Sequence, residues 1–393
     1  MSVLCVYTEL AHHYNDYSAK KAKETEMKVS HNKNIPERFK DHPIFNELVC
    51  GSNFGFLSKR GYYFTDFAKK QPELMRNIGI NWTTLNMNLC QETILSRKHF
   101  LDFEYSSAES EIIEMTKRLH DNGVKVILKP CMTCLDGGAM CQICFPPKEY
   151  MSQIQGVVTD YWGEWFKSYT ESQKYFADLA ERAGIECMMV GAELLWSESQ
   201  DEHWIGVIDA VRDNFSGPIT YEFTPESRKK APLGWMENLD FLSYSYYPPA
   251  ADPNVEPMLS YENPTAKDVP NYTADEMTAY LSTRRDKVAN IMETYGNKPI
   301  LFTEIGTRSA HGCVMQPFNF QWETPYDGEE QANYMEAIFR TFTELDGWMG
   351  LLWWKWDETQ NRPHYHKDPR GDCGFTIQGK PAEDVMRRWF NKI

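Results

Sequence analysis

Eight short apolar runs, set apart by longer segments of helical periodicity, constrain this chain more than any other feature. They fall at 49–56, 81–88, 124–130, 186–193, 217–223, 239–247, 299–306 and 350–357. Between them, segments 109–122, 162–183, 202–215, 274–295 and 329–345 repeat apolar residues at three- and four-residue spacing. Ile112, Ile113, Met115 and Leu119 show the pattern, which lays an apolar stripe along one helix face. Strands that alternate with helices are joined by crossovers and therefore run parallel. Eight such units in 393 residues predict an α/β fold, a single closed (β/α)8 TIM barrel. A doubly wound open sheet competes, but no glycine-rich phosphate loop follows the first strand. No internal repeat or low-complexity linker divides the chain. One catalytic-size domain is expected over 45–393, with residues 1–44 as a polar extension packed on it.

Charge narrows the partners. A formal net charge of -15 argues against a nucleic-acid or anionic-membrane partner, because both need a basic face. Residues 1–14 lack a basic start, and nowhere do the roughly eighteen consecutive apolar residues of a membrane span occur. Ten cysteines without a visible secretory signal fit a reducing compartment, so the expected location is cytoplasmic. Aromatic residues make up 14% of the chain, which fits either a large core or ring platforms for sugar.

The run Lys298-Pro299-Ile300-Leu301-Phe302-Thr303-Glu304-Ile305-Gly306 carries a charge where a buried strand has no use for one. Glu193 ends the run from Cys187 in the same way. Each reads as a salt-bridged carboxylate at a strand terminus or as a site residue. In a barrel the chemistry belongs at the C-terminal strand ends. Opposed strand ends can bring two carboxylates to about 5–5.5 Å, the separation of a retaining glycosidase. The neighbouring text is aromatic: Tyr244-Ser245-Tyr246-Tyr247 closes the sixth run and Trp353-Trp354-Lys355-Trp356-Asp357 the eighth. Strand alternation would set Trp354 and Trp356 on one face, Trp353 and Lys355 on the other.

Several of these stretches resemble glycoside hydrolase family 113, retaining β-mannanases within a large clan of (β/α)8 glycosidases. The matching text is Ile127-Leu128-Lys129-Pro130, Val190-Gly191-Ala192-Glu193-Leu194, Ser245-Tyr246-Tyr247-Pro248 and Phe302-Thr303-Glu304-Ile305-Gly306. Trp353-Trp354-Lys355-Trp356 and Gln378-Gly379-Lys380-Pro381-Ala382-Glu383 complete it, over roughly residues 48–390. The resemblance implies Glu193 as acid/base, Glu304 as nucleophile, and β-1,4-linked mannan or manno-oligosaccharide as substrate, with no catalytic cofactor. It also implies a substrate-binding set: Lys129, Asp136, Trp196, Tyr246 or Tyr247, and Trp354 or Trp356. Two places depart from the family. Ala139 and Met140 stand where an aromatic and a basic residue are common, and Tyr221-Glu222-Phe223-Thr224 is unusual after the fifth run. The same machinery acting on another β-linked glycan, or a catalytically silent carbohydrate-binding barrel, is the alternative.

Cys131, Cys134, Cys141 and Cys144 form two Cys-x-x-Cys knuckles, the spacing of a structural four-thiolate zinc site; four reduced thiols are the bland reading. If zinc fixed a loop there, the chain could instead be a zinc-stabilised interaction protein, which would leave the paired glutamates unexplained. His12-His13 and His364-x-His366 lack a recognisable third ligand and read as surface or substrate-contacting residues. Asp357-Glu358 reads as an orienting pair for Lys355 or nearby loops.

Overall fold

The apolar runs become eight parallel strands that close on themselves in sequence order. They are β1 Val49–Phe54, β2 Trp82–Gln91, β3 Lys125–Cys134, β4 Cys187–Ala192, β5 Ile219–Phe223, β6 Leu242–Ser245, β7 Ile300–Ile305 and β8 Trp348–Trp353. β8 returns to β1 in parallel register, with Val49 opposite Gly350 and Ser52 opposite Trp353. The computed structural model describes residues 34–146, 148, 156, 158–224, 233–258, 260–357 and 373–391.

Helices fill the crossovers: α1 Asp66–Ile78, α2 Glu109–Asp121, α3 Tyr161–Ala183, α4 Asp201–Arg212, α5 Ala274–Thr294 and α6 Gly328–Phe342. α7, Pro381–Phe390, follows β8, and among the described residues a 3-10 turn, Gly234–Asn238, precedes β6. Their ends are written in the sequence. The Asp160 side chain accepts the Gly163 N–H at 2.9 Å to start α3, and Gly184, at φ 70°, stops it in the left-handed conformation that favours glycine. α1 is absent from the periodicity reading above. It carries Pro72 in its interior, a residue that usually ends a helix.

Strand alternation sorts the core into two. Outward residues such as Val126, Leu128, Val190, Tyr221, Phe223 and Phe302 pack under the helices. Inward residues at the strand starts, among them Val49, Trp82, Ile127, Met189, Leu301 and Leu352, form a separate apolar plug inside the barrel. Phe39, Ile44 and Phe45 belong to that plug, so residues 37–46 close the N-terminal end of the barrel. The rest of the expected extension, residues 1–33, lies outside the described residues. Above the plug the interior turns polar. Thr84, Lys129, Glu222, Ser243 and Thr303 are all fully buried there. Among the described residues no helix is long and apolar enough to cross a membrane.

Candidate active site

The polar layer ends at the C-terminal mouth in three glutamates. One oxygen each of Glu193, Glu222 and Glu304 lie within 4.8 Å of one another. Lys129, inward on β3, sits between two of them: its Nζ is 2.7 Å from Glu222 Oε1 and also donates to Glu304 Oε1. Tyr247, just past β6, donates its hydroxyl to the other Glu304 oxygen at 3.2 Å.

The chain reaches this arrangement through local irregularities. Strict alternation from inward Thr303 would turn Glu304 outward. The register shifts between Phe302 and Ile305 against β8, and between Tyr244 and Ser245 against β7, so that Ser245 pairs with Glu304. Such bulges re-aim side chains near active sites. Glu193 lies one residue beyond β4 with φ 52°, a left-handed conformation rare for a side-chain-bearing residue. Its N–H is held by the Glu222 carbonyl at 2.9 Å.

Electrostatics follow from enclosure. Burial, and then the Glu304 charge, push the Glu222 carboxyl above the usual carboxylate range, while the Lys129 ammonium beside it pulls it back. For Lys129 burial works against the charge, but Glu222 and Glu304 outweigh it and its pKa rises. Burial and the Glu304 charge raise Tyr247, which stays a neutral hydrogen-bond donor.

Aromatic rings flank the carboxylates. Trp354 is half-buried beside Phe56, ring centroids 4.7 Å apart, with Lys129 Nζ 5.7 Å from its own centroid. Trp196 is 55% exposed on the loop after Glu193. That loop is braced from below: Tyr221 donates to Glu198 at 2.8 Å and accepts from the Leu194 N–H, and the Trp204 and Trp235 indoles bond the Ser197 and Glu198 carbonyls. Asp136 is exposed and accepts the Gly138 N–H in a turn.

Four expectations need correction. Trp356 is fully buried, with its indole donating to Gln71 Oε1 of α1; β8 stops at Trp353, so alternation does not extend to it. Tyr246 stacks on Tyr244 and packs against Phe302 and Phe342 under the helices, leaving Tyr247 as the site tyrosine. Lys129, expected among the substrate-binding residues, is fully buried as the partner of two glutamates. The four cysteines do not converge. β3 runs on to Cys134, and the odd spacing puts Cys131 on the inner face, bonded to Asn86, and Cys134 with Met132 on the outer.

Among the described residues two clusters gather metal-type donors, and neither contains those cysteines. In the mouth, the Lys129 ammonium already supplies the cation between Glu222 and Glu304. In His311, Asp327 and Glu330, the carboxylates accept backbone N–H groups of Gly312, Val314 and Glu330. Asp357 ties the loop after β1 to the end of β8, accepting from Gly55 N–H and Tyr62 hydroxyl. Lys355 lies over the Phe56 and Trp354 rings. His12, His13, Glu358, His364 and His366 lie outside the described residues. Glu222 escaped the sequence reading as a site residue, although a charge inside an apolar run was the signal that exposed Glu304.

A closed parallel barrel with clustered carboxylates and exposed indole at its C-terminal mouth defines a glycoside hydrolase. The family model for Glycoside Hydrolase Family 113 matches residues 52–380, and the chain belongs to that family. It acts on O-glycosyl bonds, and hydrolases of this family need no cofactor for catalysis. Among solved structures, a GH113 β-1,4-mannanase is 26% identical, covering 88% of this chain and 99% of its own, with a TM-score of 0.70. The GH113 β-mannanase AaManA from Alicyclobacillus acidocaldarius is 25% identical over 88% of this chain and 97% of its own, TM-score 0.70. A Ruminococcus gnavus β-glucuronidase shares the fold alone, at 15% identity over 88% of this chain and 51% of its own, TM-score 0.54. Among curated proteins none matches this chain.

Proposed function

We propose that the protein is a retaining β-mannanase, cleaving β-1,4-mannosidic bonds of mannan or manno-oligosaccharides with Glu304 as nucleophile and Glu193 as acid/base. The observation that carries this reading is the approach of the two carboxylates to within 4.8 Å, oxygen to oxygen. A retaining enzyme holds its two carboxyl groups about 5–5.5 Å apart, and this oxygen-to-oxygen approach is in keeping with such a pair. Two further contacts favour the assignment of roles. Lys129 and Tyr247 both donate to Glu304, one to each oxygen, which fixes its orientation and complements the negative charge of a nucleophile. Glu193 is half-exposed, three residues before the exposed Trp196, and so is open to a leaving group.

In this scheme a Glu304 oxygen attacks the anomeric carbon. The glycosidic bond breaks, its electron pair stays on the leaving oxygen, and that oxygen takes the Glu193 proton. The products are a glycosyl ester on Glu304 and an ionised Glu193. Glu193 then removes a proton from water, the water oxygen bonds the anomeric carbon, and the ester pair returns to Glu304. Trp354 and Trp196 offer faces for sugar rings on either side of the scissile bond. The mannose preference is taken from the β-1,4-mannanases that this chain resembles.

The test is product stereochemistry on β-1,4-manno-oligosaccharides, followed by proton NMR at early times. The β-anomer should form first; first release of the α-anomer overturns retention. Glu304→Ala should abolish turnover with the fold intact. Glu193→Ala should fail mainly on substrates with poor leaving groups. A parallel panel of β-glucan, galactan and aminosugar oligomers should be cleaved more slowly, and preferential cleavage of one of them would replace mannan.

A further inference from the structure

Glu222 has no role in a two-glutamate scheme, yet it is the most enclosed of the three, at 0% exposure. Its Oε1 lies 2.7 Å from Lys129 Nζ, and its Oε2 is buried without a hydrogen-bond partner. Its carbonyl holds the Glu193 N–H. One residue of β5 is thus tied through the main chain to Glu193 and through Lys129 to Glu304. We propose that Glu222 is a positioning residue, the standing counter-ion that keeps Lys129 seated when Glu304 gives up its charge to the sugar. The proposal rests on the roles given above to Glu193 and Glu304.

The surroundings of Lys129 change when the ester forms. Before, Lys129 is shared between two carboxylates. Afterwards Glu304 is a neutral ester, a weak acceptor, and a fully buried ammonium with no anion is costly. Glu222 still faces it at 2.7 Å, and with the Glu304 charge gone one of the two main causes that raise the Glu222 carboxyl is removed while Lys129 remains, which favours its ionised form. Sharing also matters in the ground state. An ammonium paired with Glu304 alone would grip the carboxylate whose charge must disperse in the transition state, which raises the barrier. Both effects act on ester formation. Ester hydrolysis returns charge to Glu304 beside Lys129 and is not slowed by them. The groups facing Glu222 are Lys129 and Cys131 on β3, Glu193 after β4, Tyr247 after β6 and Glu304 on β7. Lys129 is the cation that touches it.

Glu222→Gln keeps the shape and removes the charge. The probe is a dinitrophenyl β-mannoside, or another dinitrophenyl β-glycoside that the unaltered protein turns over, in rapid mixing and at steady state. Ester formation should slow roughly ten- to a hundredfold while ester hydrolysis keeps its rate, so that any burst of released phenol is lost and KM rises toward the dissociation constant of the substrate. Both limbs of the kcat/KM pH profile should move to lower pH, because a negative charge has been taken out of the mouth. Wild-type rates and pH limbs in this variant would overturn the proposal, whatever its thermal stability. Should it fail to fold, Glu222→Asp keeps the charge one methylene short of Lys129. Lowered kcat with limbs at wild-type pH then supports the proposal, and wild-type kcat overturns it. The underlying assignment fails separately: in that case Glu304→Ala would retain turnover.

Discussion

Tyr247 places its hydroxyl 3.2 Å from Oε2 of Glu304, on the oxygen opposite the one that Lys129 holds. The carboxylate is therefore clamped from both sides, by a neutral donor and by a cation. Tyr247→Phe removes the neutral one. A hydrogen bond to a charged group contributes about 1.5–3 kcal/mol, so kcat/KM should fall by one to two orders of magnitude. A wild-type kcat/KM in this variant would show that the phenol does not serve the reacting carboxylate.

Lys129→Met leaves Glu222 and Glu304 together without their cation. Removing one partner of a buried ion pair costs about 3–5 kcal/mol. The variant should unfold at markedly lower temperature, and its stability should depend on pH with a definite sign. Burial and mutual repulsion raise the folded-state pKa of such carboxylates, as already seen for Glu222. Folding then takes up protons, so stability is fullest below the unfolded carboxylate pKa and is lost as pH rises through the folded value. Thermal melts at pH 5 and pH 8 check it, and the acidic melt should be the higher.

These two residues show how far the sequence could be read. The eight strands were visible because a parallel barrel buries both faces, which forces continuous apolar text. Glu193 and Glu304 were visible because each puts a charge at the end of such text. Lys129 and Glu222 obey the same logic, one inside Ile127–Pro130 and the other between Tyr221 and Phe223, but neither ends its strand and each hides its partner. Their pairing is long-range, across β3 and β5, and no local pattern encodes it. Where alternation was carried past a strand end it failed, as at Trp356. Where β3 outran its expected end, it split the cysteine knuckles between two faces.

A second pH effect lies far from the mouth. His120, in the last turn of α2, meets Glu186 at 3.2 Å, and the same Glu186 oxygen accepts the Val126 N–H. The hydrogen bond to Glu186 raises the His120 pKa more than its partial burial lowers it. Its contribution to stability is present below the unfolded histidine value of about 6.5 and is lost as pH rises through the folded value. Because the pair is partly exposed, it is worth less than about 1 kcal/mol. Urea unfolding of wild type and His120→Gln across this range should show the difference between them shrinking toward alkaline pH.

Gly306 follows Glu304 by two residues, at a point where the chain has no space for a side chain. A Cβ there would meet the Trp354 carbonyl oxygen well inside contact distance, and the obstacle is backbone, not a flexible side chain. The Trp354 N–H meanwhile donates to the Ile305 carbonyl at 2.7 Å, so the two chain segments cannot part without losing a buried bond. Gly306→Ala must shift the end of β7 against the segment that presents Trp354. That moves the proposed nucleophile and its indole wall relative to each other. Overpacking of this kind costs about 1–3 kcal/mol of stability. Displacements near 1 Å at a reacting centre can cost about a hundredfold in rate. The variant should therefore melt lower and, measured well below its melting temperature, still turn over far more slowly than wild type. A lowered melting temperature with wild-type kcat would mean that the close approach serves barrel closure alone and that the Glu304–Trp354 geometry tolerates the shift.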